Sequence, residues 1–171
     1  MNVHQLAIAQ PVKMLRNVAK WLGEAEAFAE GKGFDADRLL GMRLAPDQFE
    51  LVRQIQSACD AAKFIGARLA AVDPPKNADD EETIAQARDR IQATVAFLES
   101  IQADALDGAA DRKIVLPFLP EGQWVRGEDY LIEFALPNLY FHVTTAYAIL
   151  RHNGVGLGKR AFIGGMNLQG G

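Results

Sequence analysis

Apolar residues recur at helical spacing through four long stretches of the chain, and the segments between them carry turn-forming and charged residues. From about Gln5 to Glu30, Leu15, Val18, Leu22, Ala25 and Ala29 return every three or four residues, while Met14, Trp21 and Phe28 widen the apolar face beyond one stripe. Pro11 restricts that stretch to a first turn or a kink at its own position. A second helix is predicted from near Pro46 to about Val72, because proline and nearby acids suit an early turn. Its stripe is Leu51, Ile55, Ala58, Ala62, Ile65, Leu69 and Val72, with Gln56, Asp60 and Lys63 on a different face. "DPPKNADDEE" then reads as an acidic surface loop, since its first proline disfavours helical geometry at Asp73. Thr83 and Gln86 have capping-box spacing and open a third helix, which turns Ile84, Ala87, Ile91, Val95 and Leu98 inward and runs to about Asp104.

The period changes in "DRKIVLPFLPEGQWVRG", where two short β-prone runs flank "LPEG" and predict a hairpin at about 112–126. Two strands alone make no independent domain. The fourth helix is predicted from about Glu128 to Asn153, ending at an Asn-Gly pair suited to a left-handed cap. A glycine-rich tail, 155–171, follows, with Phe162 and Ile163 as the residues that pin it. The expected class is therefore all-α: a four-helix bundle with a small β-hairpin before the last helix, forming a single domain over 1–171. The first and fourth helices are apolar on more than one side, which predicts a symmetric homodimer.

Composition narrows the partners. With 171 residues, 49% of them hydrophobic, the chain can bury a core without disulfides or metal. Its 22 acidic and 18 basic residues are scattered and give a net charge of -4, with no basic run to neutralise a series of phosphates, so nucleic acid is not an expected partner. Cys59 is the only cysteine; it permits no intrachain disulfide, cysteine zinc cluster or Cys-x-x-Cys pair, and it suits a small buried apolar position in a reducing cytoplasm. The first residues lack the pattern of a secretory signal. The apolar segment Tyr130 to Leu150 contains Pro137, Asn138, His142, Thr144 and Thr145, which fit a central bundle helix and not a membrane span.

That segment also holds the candidate chemistry. Asn138, His142, Thr145, Ile149 and Asn153 fall on one helical face, with Tyr140 nearby. Two readings stay open: the polar groups satisfy one another, the backbone freed by Pro137 or buried water, or they line a pocket with His142 as a ligand or base. His152 is about 80° away from His142 around the helix, so the two do not share an ion. Residues four away from His142 are Asn138 and Ala146, neither of them histidine. His4 is expected to face solvent, and Gln56 and Asp60 either face solvent or line a cleft against the fourth helix. "GVGLGKR" is not a phosphate loop: its first glycine is one residue too near the Gly-Lys pair, Arg160 replaces Ser/Thr, and it follows a helix.

The blocks "GEDYLIEFALPNLYFHVTTAYAILRHNGVGLGKRAFIGG" and "RLAPDQFELVRQIQSACDAAKFIGARLA" resemble a bacterial family described only as a domain of unknown function, within the DinB/YfiT-like superfamily. The resemblance covers nearly the whole chain. It implies a four-helix bundle, commonly dimeric. Many members hold a divalent metal with three histidines, one from the second helix and two spaced four apart on the fourth, and some use it in thiol-dependent transferase or isomerase reactions. His142 is similar to one fourth-helix ligand, but Ala146 stands where the next would be and the second helix has no histidine. The reading that results is a cytoplasmic dimer that binds a small molecule, without an obligatory metal, around His142, Asn138, Tyr140 and Thr145, with Gln56 and Asp60 as further pocket candidates. The alternatives are an enzyme dependent on zinc or nickel, with His142 as ligand and Gln56, Asp60 or His4 completing the sphere, and a purely structural bundle with no active pocket.

Overall fold

Two prolines shape the first and last long helices. A proline inside a helix lacks an N–H and its ring meets the carbonyl four residues back. The chain accommodates both by widening just upstream. A π-helical turn, Gln5–Ala9, precedes α1 (Gln10–Lys32), and another, Tyr130–Ala135, precedes α5 (Leu136–His152), with Pro11 and Pro137 each in the second position of the helix that follows. These features come from a computed structural model that describes residues 3–169.

Between them lie α2 (Leu51–Ala70), α3 (Ile84–Ser100), the two-residue strands β1 (Lys113–Ile114) and β2 (Val125–Arg126), and the turn α4 (Gly127–Asp129) that leads into the π-helical segment. The strands pair antiparallel, Lys113 opposite Arg126 and Ile114 opposite Val125. The second helix starts at Leu51 and not at Pro46. Gln48 N–H donates to the Ala45 carbonyl at 3.1 Å and Leu51 N–H to the Met42 carbonyl at 2.8 Å, so the intervening residues double back as a loop. At α3 the capping box forms in both directions, Gln86 N–H to Thr83 Oγ1 and Thr83 N–H to Gln86 Oε1. The helix stops at Ser100 and gives way to a short 3-10 turn, Ala103–Leu106.

Helix α2 packs on α5 and α3, and α1 closes the bundle against α3 and α5. Leu15, Leu22, Ile55, Ile65, Ile91, Leu98, Leu139 and Ile149 are fully buried in one continuous apolar cluster. The second apolar side of α1 is covered by the chain itself. Trp21 and Met14 are buried. The Phe162 ring of α6 (Lys159–Ile163) stacks on Trp21 at 5.8 Å, Tyr147 meets the same indole edge-on at 5.6 Å, and Trp21 Nε1 donates to the Ala161 carbonyl at 3.2 Å. Trp21 and Met14, which widen the apolar face of α1, are thus buried within the protomer. The same contacts show that Phe162, not the exposed Ile163, anchors the tail. On α5 and its lead-in, Phe141 and Ile132 remain 56% exposed. Among the described residues no helix is long and apolar enough to cross a membrane.

Candidate functional site

On α2, Ser57, Ala61, Phe64 and Arg68 recur at steps of three and four; on the final helical run, Tyr130, Phe134, Asn138 and His142 recur at steps of four. Each set shares a face. Gln54 meets His142 while Phe64 and Arg68 meet Tyr130, so the two faces run antiparallel. Between them, under Phe118 of the hairpin, lies a cleft of about 320 Å³.

His142 enters this cleft with its ring already oriented. Gln54 is buried and directs its amide nitrogen at the Phe49 carbonyl, 3.2 Å away, so its oxygen points at His142 Nδ1, 2.8 Å away. An amide oxygen only accepts, so Nδ1 carries the proton and Nε2 keeps a lone pair. Burial lowers the imidazole pKa below its ordinary 6.5, and the Arg53 charge lowers it further. The neutral ring thus offers the cleft an acceptor, fixed in tautomer by a residue 88 positions away in sequence.

The sign of the resulting pH dependence follows from linkage. A histidine whose folded pKa lies below 6.5 contributes fully to stability above that value, and its contribution is lost as pH falls through 6.5 toward the folded pKa. Replacing Gln54 by glutamate places a carboxylate against Nδ1. The His142 titration, followed by NMR of the ring C–H signals, is expected to move up by about one unit or more. An unshifted titration would remove the Gln54 contact from this account.

Other candidate residues have different partners. Asp60 lines the cleft, but its Oδ1 accepts from Lys63 Nζ at 2.8 Å and Arg90 Nη2 at 2.9 Å. Gln56 is buried outside the cleft wall, accepting from Arg53 at 3.1 Å and donating to Glu81 at 2.7 Å. Thr145 donates to the Phe141 carbonyl one turn back at 2.7 Å, and Tyr140 accepts from Gln10 on α1. Of the expected group, therefore, only His142, Asn138 and Asp60 reach one cavity; Gln56, Thr145 and Tyr140 belong to other contacts. The residues not foreseen are Gln54, Phe64, Arg68, Phe118, Tyr130 and Phe134. The four-residue spacing from Tyr130 to His142 carried a signal for two of them, but Gln54 had none.

Cys59 is fully buried, and desolvation pushes its thiol up to about 12, which leaves no reactive thiolate. His152 is exposed in the last turn of α5. His4 lines a separate groove of about 530 Å³ with Lys13, Arg16 and Lys20, away from His142. Among the described residues no group of three or more His, Cys, Asp or Glu side chains is placed to hold a metal ion. A three-histidine centre does not fit here: Nδ1 of His142 is engaged by Gln54, Ala146 is buried with no donor atom, and Asp60 is held by two cations.

A family model for a domain of unknown function, DUF1993, matches residues 3–163. The fold and much of the sequence are shared with a DinB family member protein from Shewanella denitrificans, known from its crystal structure. That protein is 45% identical, with a TM-score of 0.94, over 98% of this chain and 95% of the other. No curated protein matches. With the family match spanning nearly the whole chain, the protein belongs to the DUF1993 family, a DinB-like family of unknown function.

Proposed function

We propose that this protein binds a small molecule in the α2–α5 cleft around His142, with no metal required, as a single domain acting in the reducing cytoplasm. The observation that carries this reading is the Gln54 to His142 hydrogen bond, which presents a neutral Nε2 acceptor to a concave site walled by Phe64, Phe118, Tyr130 and Phe134. Few, oriented polar groups within an apolar enclosure are what ligand pockets use to fix orientation. The lone buried cysteine supports a reducing compartment.

Assembly as a homodimer is part of the proposal. It is supported by Phe141 and Ile132, large apolar side chains on α5 and its lead-in that stay 56% exposed in the protomer. Light scattering on the eluted protein is expected to give twice the protomer mass.

The test of the cleft is a metabolite screen read by melting temperature. A hit stabilises the wild type by mass action, and His142→Phe, which keeps a ring but no acceptor, is expected to lose that shift while melting within a few degrees of the parent. Stoichiometric zinc or nickel in untagged protein, absent from His142→Ala, would overturn the metal-free reading. A shift that survives His142→Phe would move the ligand elsewhere.

A further inference from the structure

Arg68 is the one cation on the cleft wall with no carboxylate to answer it among the described residues. Lys63 is bridged to Asp60, as is Arg90. Arg68, half-buried, instead lies over the rings of Phe64 at 4.6 Å and Tyr130 at 5.6 Å, and its Nη1 donates to the Tyr130 hydroxyl at 3.1 Å. That hydroxyl passes the chain on, donating to the Phe64 carbonyl at 3.3 Å. One edge of the guanidinium is thus held in place and the other donors are left for the cleft.

A helix-terminal role does not account for Arg68. It sits in the last turn of α2, where a cation complements the carbonyls, but the terminal Leu69 carbonyl is already taken by Arg112 at 2.7 Å. The hairpin adds Phe118, 63% exposed, whose ring meets Phe134 at 5.2 Å on the wall of the same cleft. The far end of the same cleft holds the His142 acceptor and the Asp60 carboxylate. Asp60 is already answered by Lys63 and Arg90, so the one free guanidinium sets the charge of an occupant at a single negative group.

We propose that the cleft takes a small organic monocarboxylate: its carboxylate on Arg68, its flat apolar body against Phe64, Phe118 and Phe134, and a hydroxyl or N–H donor at its other end on His142 Nε2. This rests on the small-molecule reading above and adds its charge, shape and polarity. Along α2 the steps from Ser57, at the His142 end, to Arg68 rise roughly 16 Å, and both long side chains lean into the gap, so an elongated single-ring molecule spans it.

The probes are para-hydroxyphenylacetate and its neutral counterpart para-hydroxyphenylethanol, titrated into the full chain by calorimetry or NMR. The acid is expected to bind about tenfold or more tighter than the alcohol. Arg68→Met, which keeps the stem, is expected to erase that preference by weakening the acid far more than the alcohol; Arg68→Lys is expected to keep part of it. Equal affinity for the two probes in the wild type, or a preference that persists in Arg68→Met, would overturn the assignment while the cleft reading stands. If Arg68→Met does not fold, the wild-type preference and Arg68→Lys decide. Binding of neither probe at millimolar concentration also overturns it; the cleft reading falls with it if the metabolite screen is silent or if a hit's shift survives His142→Phe.

Discussion

An Arg90→Ala variant is expected to lose about 3–5 kcal/mol of folding stability in denaturant titration. The Arg90 side chain is 3% exposed and gathers three carboxylates: Asp60 at 2.9 Å, Asp79 at 2.8 Å and Glu81 at 3.0 Å. Two further cations share them, Lys63 on Asp60 and Arg53 on Asp79, so three positive groups face three negative ones. A network of this kind adds little net stability over well-packed apolar residues, because each charge loses hydration on entering. Breaking it is another matter. Without Arg90, Lys63 and Arg53 are left to balance three acids, and Glu81, whose side chain is 11% exposed, keeps Gln56 as its one side-chain partner among the described residues.

The same variant carries a pH signature. Burial tends to raise the Asp79 pKa, but the hydrogen bonds and charges of Arg53 and Arg90 hold it below the usual 3.8. Its stabilisation in the wild type is therefore complete above 3.8 and lost as pH falls through the lower folded value. With Arg90 gone, burial is opposed by Arg53 alone and protonation in the folded state comes earlier. The gap between wild type and variant is expected to narrow on acidification from neutral pH toward the carboxylate range. An exposed pair such as Arg16 with Glu99, 2.7 Å apart but with side chains 55% and 48% exposed, should show no such loss when broken.

That network also marks where one-dimensional pattern stops being informative. Helical periodicity and the Thr83–Gln86 spacing located the helices because those signals are local: each residue's role depends on neighbours three or four positions away. "NADDEE" has no such period, so it reads as an acidic surface loop. In the fold, Asp79 takes a left-handed backbone (φ 59°), and it and Glu81 turn inward onto Arg90. Asp79 lies in the loop ahead of the Thr83 cap, Asp60 on α2 and Arg90 on α3, so no single element's period links the three. The site shows the same division. The inward direction of His142 was legible from an apolar helix carrying one imidazole, whereas its partner Gln54 looked like any polar residue near the start of a helix. Thr145 was misgrouped because helical projection places a side chain on a face but does not say whether its hydroxyl turns back to its own helix, as Thr145 does to Phe141.

Gly127→Ala is expected to destabilise the fold by about 3 kcal/mol, at the costly end of overpacking, and to weaken ligand binding in the cleft. A Cβ built on Gly127 falls within the contact radius of the Ala109 carbonyl oxygen, with the Ala109 carbonyl carbon and Leu69 Cδ2 both at 3.1 Å. The first obstacle is backbone, so relief requires moving a chain segment and not a rotamer. That segment is the 3-10 turn Ala109–Asp111, followed by Arg112, which holds the end of α2 through the Leu69 carbonyl. Three residues after Gly127 comes Tyr130, the hydroxyl that positions Arg68, so a displaced α4 turn shifts the aromatic end of the cleft. Two other glycines calibrate the measurement. At Gly66 the added carbon meets Leu98 Cδ2 at 2.7 Å and Ile101 Cδ1 at 2.8 Å, the ends of flexible side chains, and about 1–2 kcal/mol is expected. At Gly23, inside α1, nothing lies within 4 Å, so alanine is expected to stabilise by about 0.5–1 kcal/mol through backbone entropy. If Gly127→Ala melted with Gly23→Ala and not well below Gly66→Ala, the close approach of α4 to the Ala109 turn would be wrong, and the placement of Tyr130 over Arg68 would lose its support.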